Sequence, residues 1–531
     1  MSTSVANTSS AGRSTATTVA IIDIGSNTTK MCVYAVEPGR WWRQLDELRA
    51  VVRLSAGLGT TGSIAPDAFE RGLETLERFA AYVRAVGIDE VCATATSAVR
   101  SASNGDEFLA AARRRTGLEV VTLTGEEEAT LGALAVANSF AARDMVVLDV
   151  GGGSAQLSLL KDRVVVNERS WPLGAVTTTE RFISNDPPSD KEVAELRKHV
   201  RRSVKAWFAA DPSLRGLPLV GMGGTIRNLG NLAGQLAGGR DDFLHGAAVQ
   251  RRRLGKVVTT ILRATAAERA QIAALSSDRA DIIAAGAVVV HEIVKTAGVD
   301  ELLISGHGLR EGLLYRYLLP DSDPPLVADV RAFSVGNLRD RLGFTWPAAK
   351  DPEHVANLAL SLYDALPPRS DAGVERELLA AAARLHDIGR AIDYRDHHKH
   401  AFGIIMSEPL PGFSHREQAL VALMVRYQRS GKPSIDATAD LLEEGDTACL
   451  ERLAGVLRLA VAFDRTGTSG VSALRCALGK RTLTVTAVVA PDTDLGESGG
   501  SGALVDLFTA RSAAGLLENA YDVEVRVVRS D

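Results

Sequence analysis

Apolar and polar positions change over in short blocks along the first third of the chain. Residues 19–24 and 30–36 are apolar runs joined by Gly-Ser-Asn-Thr-Thr, a pattern that predicts a hairpin whose turn faces solvent or ligand. Apolar residues at helical spacing predict a helix over 68–86, and 90–96 resumes as a strand ending at Ser97-Ala-Val-Arg100. A further strand is expected at 119–123, with a helix starting at Thr124. A second set follows, with strands expected at 145–150, 155–160 and 163–166 and then helices rich in Ala, Arg and Leu. The segment Leu219-Val-Gly-Met-Gly-Gly224-Thr-Ile-Arg-Asn228 follows an apolar strand and opens a helix. Leu302-Leu-Ile-Ser305-Gly-His-Gly-Leu-Arg-Glu-Gly-Leu adds one more strand and helix. The Pro/Asp cluster near Pro320 reads as a linker. Residues 325–470 are expected to be helical, with breaks at Pro367-Pro368 and around Pro409 to Gly412. Strand-period alternation returns in Thr482-Leu-Thr-Val-Thr-Ala-Val-Val and Val523-Glu-Val-Arg-Val-Val, predicting a small α+β cap.

One pattern occurs twice. Asp23-Ile-Gly-Ser-Asn-Thr28 and Asp149-Val-Gly-Gly-Gly-Ser154 each close an apolar strand with a carboxylate, followed by glycines and hydroxyls. The carboxylate can orient a cation or a water, while exposed N–H groups of the loop cradle phosphate oxygens. Duplication of the loop suggests a two-lobed phosphate clamp, and the glycine segment at Gly223-Gly224-Thr225 offers a third loop for the same ligand. Thr124 and Glu127 fit a capping box, which leaves Glu128 one position further round the helix. The helix dipole favours its ionised form there, and an ionised carboxylate near phosphate suits a base that deprotonates water. Arg100 follows the hydroxylic Thr94, Thr96 and Ser97, and its planar fork suits a phosphate.

At 531 residues the chain should hold three or four domains, taking about 100–200 residues for each. A net charge of -5 excludes a global polycation, so an anionic ligand must meet a local basic patch and nucleic acid is not the expected partner. Cys32, Cys92, Cys449 and Cys476 are scattered without a Cys-x-x-Cys pair, which fits neither a disulfide framework nor zinc and suggests a reducing cytoplasm. No apolar run reaches the roughly 18 residues of a membrane span. Residues 1–18, rich in Ser, Thr and Ala, are expected to be a disordered tail.

Taken together, Asp23-Ile-Gly-Ser-Asn-Thr28, Thr94-Ala-Thr-Ser-Ala-Val-Arg100, Gly125-Glu-Glu-Glu128-Ala, Asp149-Val-Gly-Gly-Gly-Ser154, Pro172-Leu-Gly-Ala-Val, Gly223-Gly-Thr225 and Ser305-Gly-His-Gly-Leu-Arg-Glu-Gly resemble the exopolyphosphatase and guanosine pentaphosphate phosphohydrolase family in its long form. The resemblance implies an α/β fold of two actin-like, ribonuclease-H-like lobes of the sugar-kinase and Hsp70 type, at 19–137 and 138–319. An all-α HD-like domain would follow at 325–470, and a small α+β domain at 471–531. It implies Glu128 as general base and Arg100 as a phosphate-binding arginine. Gly25, Ser26, Asn27, Thr28, Gly152, Gly153, Ser154, Gly223, Gly224 and Thr225 become phosphate contacts, and Asp149 with Asp23 a magnesium site, with K+ as a further candidate cation. One position departs from the pattern: Gln156 stands among the catalytic set where the family usually has glutamate. An amide can hydrogen-bond a water or phosphate but cannot accept its proton or offer a charge to a cation.

In the helical part, His354, His386-Asp387 and Asp464 resemble the ligand order of HD phosphohydrolases, a candidate second divalent metal site. His398, Lys399, His400 and Arg426 form a candidate polyanion track, and family resemblance suggests a homodimer. The expected substrates are inorganic polyphosphate and guanosine pentaphosphate, with no nucleic acid or membrane partner. The alternatives are a weakly catalytic polyphosphate or alarmone sensor, an HD-centred nucleotide phosphohydrolase and, more remotely, a sugar kinase.

Overall fold

The computed structural model describes residues 16–238, 244–342, 351–367, 371–489 and 499–530. The first sheet has the order β3-β2-β1-β4-β5, with β1 Thr17–Ile24, β2 Thr28–Glu37, β3 Trp41–Val51, β4 Glu90–Ala95 and β5 Val120–Thr122. β1, β2 and β3 run as an antiparallel meander, whereas β4 lies parallel to β1 and β5 parallel to β4.

The second sheet repeats this plan. It contains β6 Met145–Val150, β7 Ala155–Lys161, β8 Val164–Trp171, β9 Leu219–Met222, β10 Ala248–Gln250 and β11 Glu301–Ile304, in the order β10-β11-β9-β6-β7-β8. Read from β8, it is again a meander of three antiparallel strands followed by two parallel ones, with β10 added antiparallel at the edge. β1 and β6 hold the same place, flanked on both sides and therefore apolar nearly throughout. Each carries its aspartate one residue before its end, so the sequence repeat is a repeat of topology.

Helix Gly125–Ala137 buries one side with β1 and β2 through Leu131 and Leu134, and the other with β6 and β9 through Ala133 and Val136. It is thus the wall shared by the lobes. Helix Leu309–Leu318, expected with the second lobe, packs instead against β1, β2 and helix Gly125–Ala137. Tyr34 on β2 donates its hydroxyl proton to Glu311 on that helix, at 3.0 Å.

Helices Val330–Leu342, Pro352–Asp364, Ala372–Leu385, His397–Ser407, His415–Tyr427 and Asp446–Phe463 follow. Strands β12 Val471–Leu478, β13 Thr482–Val489 and β14 Glu524–Arg529 form a third sheet, with β13 central. Val471, Leu483, Val485 and Leu517 share one core with the helices, through Leu453, Leu457 and Phe463. The expected boundary at 470 is therefore no break in packing. This region meets the second lobe where the Gly412 N–H donates to the Ser139 carbonyl and His415 Nε2 lies 2.8 Å from the His245 carbonyl.

Three expectations change. Of the expected tail, 1–15 lies outside the described residues, while Thr17 and Thr18 belong to β1, where the Thr18 N–H and hydroxyl both bond Asp89. Ser97–Ser101 is a helical turn after β4, not a strand end. β3, β10 and β12 add strands to the expected set, and β3 is largely exposed, so it lacks the apolar alternation that marks a half-buried strand. Among the described residues no helix is long and apolar enough to cross a membrane.

Candidate active site

The loops after β1, β6 and β9 converge between the lobes. Gly25, Ser26, Asn27 and Thr28 from the first, Gly152, Gly153 and Ser154 from the second, and Gly223 and Gly224 from the third line one inner cavity of about 130 Å3. A larger outer cavity of about 750 Å3 shares Ser97, Gly153 and Ser154 with it and adds Arg100, Thr177 and Arg181.

The second loop is held from behind by helix Ala175–Phe182. Ala175 and Val176 donate their N–H groups to the carbonyls of Gly151 and Gly152, and the Thr177 hydroxyl donates to that of Gly153. With these carbonyls tied back, the N–H groups of Gly152 and Gly153 find no protein acceptor among the described residues. On the opposite loop the carbonyls of Ser26 and Asn27 are likewise occupied, by Ser55, Val52 and Arg53. At Gly223 (φ +90) the backbone is left-handed, and a Cβ there would run into the carboxylate of Asp149. Helix Gly224–Gln235 begins directly after it, so its N-terminus, at Gly223 and Gly224, lies at the cavity.

Three carboxylates share this space. Asp23 and Asp149 enter from the ends of β1 and β6, and Glu128 from the first turn of helix Gly125–Ala137. The capping box forms as expected, with Thr124 and Glu127 bonded reciprocally, so Glu128 is free to turn inward. Burial, and then the charge of Asp149, push the Glu128 carboxyl up to about 7. Burial also raises Asp149, to about 6, and lifts Asp23, whose Oδ1 is buried with no hydrogen-bond partner. Arg100 lies 3.3 Å from Glu128 Oε2 and bonds the Leu123 carbonyl, which places it between the outer cavity and Glu128.

Lys30, Arg227, Arg279 and Arg310 also line the inner cavity, and sequence reasoning missed all four as ligand groups. Arg227 was detectable: it stands three positions after Gly224, on the same face of the helix. Arg310 lies inside the Gly-His-Gly-Leu-Arg motif, whereas Arg279 comes from a short 3-10 turn with no local signature. Burial lowers the Lys30 ammonium and the Arg227 and Arg279 guanidinium groups, so a bound anion gains where they have lost water.

Two expected site residues do not reach the cavity. The Thr225 side chain is fully buried and packs against Gly286, because the helix rotation that aims Arg227 at the ligand turns Thr225 into the core. Gln156 is 2% exposed and lies behind Ser154, donating from Nε2 to the serine hydroxyl at 3.0 Å.

Among the described residues, no group of three or more His, Cys, Asp or Glu side chains is gathered so as to hold a metal ion. The set His354, His386, Asp387 and Asp464 forms no such group, and neither do Asp23, Glu128 and Asp149, although His354 Nε2 and Asp464 Oδ2 are buried without a hydrogen-bond partner. His386 Nε2 lies 3.4 Å from Asp387, and His397, not expected there, lies 3.8 Å from the same carboxylate. Asp464 Oδ1 accepts from the Ser469 N–H. Along the expected polyanion track, Lys399 pairs with Asp396 at 3.2 Å and Arg426 stacks on Phe402. His398 and His400 are half-buried beside them.

Two lobes of the same topology, closing on three phosphate-type loops and a buried carboxyl, define the actin-like class of two-lobed phosphate-handling folds. Residues 32–320 match the Ppx/GppA phosphatase family and residues 330–487 match its domain III, so the chain belongs to the Ppx/GppA phosphatase family. Two solved structures agree on the fold. An exopolyphosphatase from Cytophaga hutchinsonii is 24% identical with a TM-score of 0.54, covering 57% of this chain and 97% of its own. An exopolyphosphatase-like protein is 27% identical with a TM-score of 0.53, covering 57% of this chain and 98% of its own. The Aquifex aeolicus family member is 28% identical with a TM-score of 0.49, covering 56% of this chain and 96% of its own.

Proposed function

We propose that the protein hydrolyses the terminal phosphoanhydride bond of inorganic polyphosphate, releasing orthophosphate, with conversion of guanosine pentaphosphate to the tetraphosphate as a side activity. The observation that carries this reading is the Glu128 carboxyl, held near 7 between a cavity of phosphate-binding loops and a wider outer cavity. The terminal phosphate sits against the N–H groups of Gly152, Gly153 and helix Gly224–Gln235. Arg227, Arg279, Arg310 and Lys30 neutralise its charge in the transition state. Glu128 takes a proton from water as the new P–O bond forms and the bridging P–O bond breaks. The shortened chain leaves as an anion toward Arg100 and the outer cavity.

The residues fit a magnesium ion. Asp23 and Asp149 supply two raised carboxyls, one with an unpartnered buried oxygen, and Mg2+ is commonly held by one or two carboxylates with phosphate oxygens. When bound, the ion supplies charge neutralisation at the phosphate oxygens.

Gln156 lies outside the cavity lining, which supports a working base at Glu128 over the sensor reading. Phosphate release from long-chain polyphosphate beside guanosine pentaphosphate, with and without Mg2+, tests the proposal in wild type and Glu128→Gln. Full activity in the variant would overturn it.

A further inference from the structure

Net charge over the whole chain is -5, yet residues 197–205 hold Arg197, Lys198, Arg201, Arg202 and Lys205 with His199, and no Asp or Glu. They lie on helix Asp190–Ala210, whose buried face is Leu196, Val200, Val204 and Trp207. Lys198, Arg202 and Lys205 are exposed and have no ion-pair partner among the described residues. An unpaired run of this kind is ordinarily just a solvated helix face. Its position makes it more than that.

Arg181 lines the outer cavity and is exposed. Its guanidinium lies 5.2 Å from the ring centre of Phe182, and that ring lies 5.0 Å from the ring of His199 on the basic helix. Glu180, the acid next to Arg181, is already engaged by the Gly57 N–H at 2.8 Å. Burial, and then the charge of Arg181, hold the His199 imidazole below its usual range, as expected where positive charge accumulates. From His199 the exposed cations continue along the helix, the six positions to Lys205 spanning about 9 Å at 1.5 Å per residue. Beyond them a pocket of about 380 Å3 is lined by Arg201, Lys205, Arg215 and Lys295. Its one acid, Glu292, is buried and bonded by Arg201 at 2.7 Å.

We propose that this strip, from Arg181 through Lys198, Arg202 and Lys205 to the pocket at Arg215 and Lys295, holds the trailing part of a polyphosphate chain whose end lies in the cleft. The inference rests on the polyphosphate reading above and adds where the rest of the chain runs. A single-stranded nucleic acid is the other polyanion of suitable charge, but such strands are gripped by stacking on exposed aromatic rings. Along this helix Trp207 is buried and Phe208 half-buried, so the strip offers charge without a stacking platform.

The test compares wild type with the triple variant Lys198→Ser, Arg202→Ser, Lys205→Ser, a set of exposed residues whose folding is checked by thermal melting. KM for long-chain polyphosphate should rise about tenfold with kcat unchanged, and KM for tripolyphosphate should not move. The log–log salt dependence of the long-chain KM should become shallower by about 2, since each lost contact removes roughly 0.7. Equal effects on long and short chains, or none on either, would overturn the strip. So would an equal rise in a control variant carrying Arg252→Ser, Arg253→Ser and Lys256→Ser, which removes the same charge from another helix of the same lobe, Arg251–Arg263. Single-stranded RNA of matched charge competing as well as polyphosphate would overturn the assigned occupant. If wild type releases phosphate from neither substrate, the proposed function fails instead. Direct titration of both proteins with long-chain polyphosphate then still decides the strip, weaker binding by the triple variant supporting it and equal binding overturning it.

Discussion

Asp149 and Gln156 are direct cross-strand partners in the β6–β7 pair, so the amide stands beside the carboxylate that closes the inner cavity. Gln156 spends its Nε2 on the Ser154 hydroxyl and leaves Oε1 buried without a partner. It orders the loop serine and adds no charge to a cavity that already holds three carboxylates.

Gln156→Glu should therefore destabilise the metal-free protein. A second carboxylate beside Asp149 is a buried charge without a partner, a penalty of about 3–5 kcal/mol. Denaturation at pH 8 should show this loss without Mg2+ and recover much of it with Mg2+. Equal stability of the two proteins without the ion would mean that the new carboxylate reaches solvent or stays protonated.

Glu128→Gln should reduce phosphate release by about 10²–10⁴-fold with the fold intact. In wild type the base must be ionised, so kcat/KM at low Mg2+ should rise with pH through about 7 and then level. The positive charge of Arg100 lowers that carboxyl, so Arg100→Ala should move the rising limb to higher pH. A limb that stays in place would remove Arg100 from the role of tuning the base.

Asp149 and Glu128 have folded values of about 6 and about 7, above their ordinary 3.8 and 4.5. The native state thus binds more protons than the unfolded chain across this window. The stability from these two groups is full below pH 4 and is lost as pH rises toward 7. Mg2+ binding relieves the repulsion, so the rise in Tm on adding Mg2+ should be larger at pH 8 than at pH 5.5. Asp149→Asn should flatten that difference, and calorimetry at the two pH values checks both.

Gly223→Ala should cost about 1–3 kcal/mol from a left-handed backbone alone. The added methyl would also press on Asp149, so the Mg2+ requirement for activity should rise together with the loss of stability. A variant that loses stability while keeping its Mg2+ dependence would separate the two effects.

The local elements of the site could be read from the chain because each is set by neighbours in sequence. The capping box at Thr124 and Glu127 needs only its own turn, and it already implies that Glu128 points elsewhere. The hairpin at Asp23 and the glycine loop at Asp149 need only an apolar strand and residues that tolerate a tight turn. Thr225 was misread for a reason of the same scale. Its hydroxyl made it look like a phosphate ligand, but the helix starting at Gly224 turns it inward and brings Arg227 out.

By itself the sequence determined the two glycine loops, the capped turn that leaves Glu128 free and the repeat that joins the loops, since these depend on periodicity, capping and turn chemistry within short stretches. Only the tertiary structure decided that Arg279 reaches the loop of Gly224 and that Gln156 lies behind Ser154. It also decided that helix Leu309–Leu318 crosses to the first sheet, and that His354, His386, Asp387 and Asp464 do not gather as a metal set. Such contacts join residues far apart in the chain. They are set by which apolar faces bury one another and by how sheet twist and helix rotation then aim the polar side chains, and no short window of sequence carries that information.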